Sequence, residues 1–379
     1  MNKQTWVIIA VVAVLAIVLG IALSNRGGKD EILIGVNMEL TGDLASFGQS
    51  TFNGLSLYIE QANEQGLLDK EIKLIKLDNK SQDAEAAAIA TRLISQKVIA
   101  MVGPVTSGKT IAAGNVAQEK KVPLLSPTAT AESVTQIGEY IFRSCFLDDF
   151  QAKAMAEFAY VTLNVRRAAI LMNSGDDYST GLAASFKKYF TALGGQVVLE
   201  ETFLSSDNEF RTQLTKIKNS SADSIYVPAY YNEDGLIARQ AREMGITLPI
   251  LGVDGWDSEK LIEIAGASAL NNIYFTNHYT PADEDPQVQA FVKAYEEKYG
   301  TTPDALAALG FEGGAMLVDA LKRAESYTPE AVRDALASIK DLKALRARIT
   351  VGSDRNLLKD AVIVELKDGV QHLRGTVSP

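Results

Sequence analysis

The sequence predicts an α/β chain of two doubly wound units, each a parallel central sheet with helices on both faces. Three observations predict it. From Glu31 onward short apolar runs alternate with longer amphipathic ones, and that alternation restarts near Asp148. The length, 379 residues, suits two domains at roughly 100–200 residues each. Strands that alternate with helices pair in parallel, because each crossover helix returns the chain to the starting end of the sheet.

In the first unit Ile32 to Val36 reads as a strand, Ser46 to Asn63 as a helix and Glu71 to Leu77 as the next strand. Gln82 to Gln96 places Ala86, Ile89, Ala90 and Leu93 on one helical stripe. Val98 to Val102 (strand), Thr110 to Lys120 (helix) and Val122 to Leu125 (strand) complete it. The second unit opens with a helix from Asp148 to Leu163, followed by strand Ala168 to Met172 and helix Tyr178 to Leu193. Strand Gln196 to Leu199, helix Asn208 to Lys218, strand Ser224 to Val227, helix Glu233 to Met244 and strand Pro249 to Leu251 continue it. Asp285 to Tyr299 and Pro303 to Ala324 read as two late helices, the second with Pro in its first turn. Asp360 to Leu373 reads as a hairpin turning at Asp368-Gly369.

The N-terminus stands apart. Val7 to Leu23 is an uncharged apolar run that follows Lys3, so residues 1–30 read as a signal peptide or a membrane anchor. The remainder is then expected to work outside the cytoplasm, in the periplasm or on the outer face of the cytoplasmic membrane. A formal charge of -10 with no Lys/Arg run argues against nucleic acid as a partner. Cys145 is the one cysteine, which excludes an internal disulfide and a thiolate cluster. With His278 and His372 as the two imidazoles, no histidine-rich metal site is expected either. Cys145 lies in the apolar run Tyr140 to Phe146 and reads as a buried thiol.

Gly103-Pro104-Val105-Thr106-Ser107-Gly108-Lys109-Thr110 matches G-x-x-x-x-G-K-[ST] between a predicted strand and a predicted helix. In a nucleotide hydrolase such a turn cradles phosphate, with Lys109 against its charge and Thr110 on Mg²⁺. Two features weigh against that reading: the exported topology, and a position after the third strand instead of the first. The same turn offers amide donors and a helix N-terminus to a carboxylate, with Thr106 and Ser107 adding hydroxyls.

Other polar and aromatic residues also fall just past strand ends, where open α/β sheets bind ligands. They lie in Glu39 to Gly48, the Ser107 turn, Ser126 to Ala131, Asn173 to Tyr178, Pro228 to Tyr231 and Gly252 to Trp256. The order and spacing of these six loops resemble the type I periplasmic binding proteins of ABC importers, specifically the branched-chain amino acid (Leu/Ile/Val) binding family. The resemblance covers the chain from Glu31 onward.

It implies two Rossmann-like lobes joined by three hinge crossings near Asp148, His278 and Gly352. Lobe 1 would comprise 31–147 plus 279–352, and lobe 2 would comprise 148–278 plus 353–379. Ser107 and Thr130 would hold a ligand α-carboxylate, helped by amides of the same turns. The Thr128 carbonyl and Asp254 would take the α-ammonium, Tyr178 and Tyr230 would close from lobe 2, and Phe47 would line the side-chain pocket. No reaction, cofactor or metal is implied; the partners would be an amino acid and a membrane permease, and the chain a monomer. A ligand-sensing module for a signalling receptor is the alternative, with a P-loop hydrolase behind it. Asp254 replaces the family's Glu, one methylene longer, and Phe311-Glu312 stands where Tyr-Asp is usual. Each site residue also has a plainer role open to it: helix capping for Ser107, Thr128 and Thr130, turn formation for Asp254, core packing for Phe47 and Tyr178. Trp256 reads as core.

Overall fold

A computed structural model describes residues 31–345 and 348–379. The segment read as a signal or anchor lies outside the described residues. The first sheet is built from β1 (Ile32–Met38), β2 (Ile72–Asp78), β3 (Ala100–Val102), β4 (Leu124–Ser126) and β5 (Ile141–Arg143). Its order is β2-β1-β3-β4-β5, and every pairing is parallel. β1 is buried at six of its seven positions, which is why its sequence is a continuous apolar run instead of an alternating one. Helices α1 (Ala45–Glu64), α2 (Asp83–Ser95) and α3 (Ser107–Lys120) cross over between these strands. The stripe Ala86, Ile89, Ala90 and Leu93 of α2 is buried as its spacing requires.

After α4 (Asp148–Glu157) the chain builds a second sheet from β6 (Arg167–Asn173), β7 (Gln196–Phe203), β8 (Ser224–Tyr226), β9 (Ile250–Gly252) and β10 (Ile273–Asn277). These strands are parallel, with crossovers α5 (Asp177–Ala192), α6 (Arg211–Asn219), α7 (Tyr231–Glu243) and α8 (Glu259–Ala265). The chain then returns to the first sheet through α9 (Pro286–Tyr299), α10 (Ala305–Arg323) and α11 (Pro329–Ala337). A short antiparallel pair, β11 (Leu342–Lys343) and β12 (Arg348–Ile349), precedes a last passage back. β13 (Ala361–Lys367) pairs antiparallel with β10, and β14 (Val370–Val377) covers its outer edge. The turn between them has Asp368 at φ 50° and Gly369 at φ 77°, the double positive φ that an Asp-Gly hairpin turn demands.

α10 packs directly on α1. A Cβ at Gly310 would lie 2.1 Å from the Thr51 carbonyl oxygen, and one at Gly54 would lie 1.8 Å from that of Ala307. Glycine at both positions lets the two backbones touch. Two predicted elements differ in detail. Pro303 precedes α10 instead of sitting in its first turn, because Asp304 caps the helix by accepting from the Ala307 amide at 2.8 Å. The helix begun at Asp148 widens into a π turn over Phe158–Thr162. Among the described residues no helix is long and apolar enough to cross a membrane.

Candidate functional site

The carboxyl ends of the two parallel sheets face each other across a cleft, so their loops meet there. Phe47, Ser107, Thr128, Thr130, Tyr178, Tyr230 and Asp254 all line one cavity, with Val105, Thr106, Gly255 and Leu306. Its volume is about 20 Å³, far below the roughly 300–1,000 Å³ of small-ligand sites, so the two sides close directly on each other in this structure.

On the first-sheet side, the turn after β3 is already loaded with an anion from the chain itself. The buried Glu39 carboxylate accepts from the amides of Val105 (3.1 Å) and Thr106 (3.0 Å) and from the Thr106 hydroxyl (2.9 Å). Thr110 donates its hydroxyl to the Pro104 carbonyl at 3.1 Å, and Lys109 pairs with Asp83 at 3.4 Å. Two amides of the turn, the Lys109 ammonium and the Thr110 hydroxyl, which a phosphate cradle would use, are therefore engaged within the chain. Ser107 Oγ accepts from the Ala131 amide at 3.2 Å, and Thr128 donates to the Val105 carbonyl at 2.6 Å, tying the turns after β3 and β4 together. Buried Arg143 stiffens the second of these turns by donating to the carbonyls of Ala129 and Ala131. Among the described residues no acceptor takes the amides of Ser107 or Thr130.

On the second-sheet side, Asp254 begins a short 3-10 turn after β9. Its Oδ1 accepts from Tyr178 (2.6 Å) and Gln151 (2.8 Å), and its Oδ2 lies 3.0 Å from His278 Nε2. Burial alone would raise the Asp254 pKa, yet the His278, Tyr178 and Gln151 contacts hold it below the usual carboxylate value. Asp148, bonded to the same Gln151 side chain at 2.8 Å, goes the other way: burial and the Asp254 charge push it well up. Burial and Asp254 likewise raise the Tyr178 hydroxyl, which stays a donor. Tyr178 and Tyr230 stack at 4.8 Å and 4°, and Phe47 meets Tyr230 edge-on at 6.0 Å. The two sides touch: Ser46 and Ser258 hydroxyls lie 3.0 Å apart, and Tyr231 donates to the Asp43 carbonyl at 2.7 Å.

Glu39, Gln151 and Asp148 complete this site without having been singled out in the sequence. Glu39 had a signal, since it opens the loop immediately past β1; Gln151 and Asp148 sit on a helix face with no motif. Other expectations resolve plainly. Trp256 is core, donating to the Val227 carbonyl at 3.0 Å. Phe311 packs edge-on against Tyr58, and Glu312 forms a buried ion pair with Lys359, so neither borders the cleft cavity. Cys145 is buried and donates to the Ala129 carbonyl at 3.3 Å, while His278 Nε2 is turned to Asp254.

The family described as periplasmic binding protein matches residues 31–371 of this sequence. The chain belongs to that family. This periplasmic binding protein is 29% identical over 330 residues to a Leu/Ile/Val-binding protein of Rhizobium johnstonii, covering 86% of this chain and 89% of the relative. A branched-chain amino acid transporter substrate-binding protein from Streptococcus pneumoniae, solved with isoleucine, superposes with a TM-score of 0.87 at 36% identity. That match covers 92% of this chain and 100% of the other. A solute-binding protein of an ABC transporter from Rhodopseudomonas palustris, solved with benzoate, follows at TM-score 0.83 and 25% identity, covering 92% and 97%. The family is one of solute-binding proteins of transporters rather than of enzymes.

Proposed function

We propose that this chain is an exported solute-binding protein that captures an amino acid, branched-chain or similar, between its lobes. It would hand that ligand to the membrane permease of an ABC importer and act as a monomer, without catalysis or cofactor. The lobes divide as 31–147 plus 279–352 and 148–278 plus 353–379, with hinges at the three crossings between the sheets. One observation carries the reading: unpaired amides of Ser107 and Thr130 face a half-buried, ionised Asp254 across a cavity walled by Phe47, Tyr178, Tyr230 and Leu306. Such a site offers donors to a carboxylate and an anion to an ammonium, at opposite ends of a short apolar space.

Calorimetric titration with leucine, isoleucine, valine, 4-methylpentanoate and benzoate tests this. The reading expects the branched amino acids to bind and to raise the melting temperature, and the two plain acids to bind far more weakly. A plain carboxylic acid that bound as tightly as any amino acid would overturn the ligand class.

A further inference from the structure

Three hydrogen bonds fall on the Asp254 carboxylate, and two of them, from Gln151 and His278, come from outside the cleft lining. His278 lies at the crossing that follows β10, with its side chain 2% exposed and its ring stacked on Phe146 at 3.6 Å. An ionised carboxylate accepts only, so the hydrogen between them belongs to His278 Nε2. A carboxylate has about four lone-pair sites. Tyr178 and Gln151 take those of Oδ1 and His278 takes one of Oδ2, which leaves one of Oδ2 for a ligand.

We propose that His278 is a positioning residue that makes amino acid affinity depend on pH. Neutral, it orients Asp254 and leaves its negative charge for the ligand ammonium; protonated, it becomes the counter-charge itself and competes with the ligand. The inference rests on the amino acid reading given above. The groups around His278 leave this pair in control. From α10 and from the crossing before β13 it is faced by Glu312 and Lys359, which form an ion pair with each other. Asp148, on α4, reaches it only through Gln151 and Asp254. Asp283, Arg348 and Asp360 line the larger cavity on its other side, together with Tyr279.

The sign follows from linkage. Burial pulls the His278 pKa below its usual 6.5 against the opposing pull of Asp254, so the neutral form prevails at neutral pH. A bound ammonium adds positive charge beside Asp254 and lowers the proton affinity of His278 further. Protonation must then lower ligand affinity by the same factor, and the loss appears as pH falls through the His278 pKa. Asp254, held below 3.8, stays ionised through that window.

The chain has two histidines, and the exposed His372 serves as an internal reference. Imidazole resonances of the full-length protein are followed by NMR from pH 8 to pH 5, with and without leucine. Leucine is expected to lower the His278 midpoint and to leave that of His372 unmoved. By calorimetry the leucine Kd is expected to rise roughly three- to tenfold from pH 7 to pH 5. H278Q keeps a donor for Asp254 but cannot ionise, and it should flatten that rise, whereas H372Q, at the exposed histidine, should keep it. A His278 midpoint that ignores bound leucine overturns the proposal, as does a Kd slope that survives H278Q or vanishes in H372Q. Leucine that fails to bind wild type at pH 7.5 overturns the amino acid reading as well, and shows itself before any titration.

Discussion

Glu39 accepts hydrogen bonds from both the amide and the hydroxyl of Thr106, at 3.0 and 2.9 Å. The sequence pattern around Thr106 advertises an anion site, and the structure fills its first two amides with a carboxylate of the same chain. Only the later donors, on Ser107 and in the turn after β4, remain for a ligand. On the proposed reading the anion site thereby moves about one residue along the helix, to a carboxylate grip shared between two turns.

Lys109→Ala is therefore expected to leave leucine affinity within about tenfold, on the order of 1.4 kcal/mol. Lys109 reaches Asp83, away from the ligand cavity. Calorimetry checks the affinity and a phosphate-release assay checks for ATP turnover, which is expected to be absent; measurable hydrolysis would restore the nucleotide reading.

Glu39→Ala should act on the fold. It strands two buried amides and one buried hydroxyl, each costing roughly 1–3 kcal/mol when unsatisfied, so a loss of at least about 2 kcal/mol in urea unfolding is expected. Stability equal to wild type would show that water replaces the carboxylate there.

Cys145 should be inert in the native protein. Burial pushes its thiol up to about 12, and thiolate is the reactive form. A chromogenic thiol reagent at pH 8 is expected to find no thiol in the native chain and one per chain in urea. Rapid native labelling would mean that the Ala129 loop opens readily.

The alternation of strands and helices was legible because buried parallel strands are apolar throughout and the helices keep a regular stripe, as in β1 and α2. That these residues share one cavity was legible because they sit at strand ends in loops of recognisable order. Less legible was what depends on three-dimensional convergence. Gln151 lies 103 positions from Asp254 and His278 lies 24, yet both bond to the same carboxylate. No local pattern announces that. β5 was hidden within an apolar run read as packing, and α11 within a stretch too mixed to show a stripe. The π turn at Phe158–Thr162 leaves no compositional mark either.

Deleting residues 1–24 is expected to leave a soluble monomer that binds leucine as the full chain does, since both sheets are built from Ile32 onward. Size-exclusion chromatography and calorimetry check this. An insoluble or non-binding truncation would mean that the apolar run contributes to the folded core.

Asp254→Asn should weaken leucine binding by roughly 2–5 kcal/mol, the cost of altering one member of a buried charge pair. The structure adds a second consequence. A carboxylate on a cleft loop supports no core, but Asp254 accepts from Tyr178, Gln151 and His278 at once. Its amide offers one acceptor and two hydrogens to three donors, so unfolding in urea should also show a loss of about 1–3 kcal/mol. The two effects separate through the ligand. 4-Methylpentanoate, which lacks the ammonium, should bind wild type weakly and lose little more in Asp254→Asn, whereas leucine should lose the full amount. Equal losses for both ligands would mean that the substitution acts by loosening the loop, and unchanged leucine affinity would place the ammonium elsewhere in the cleft.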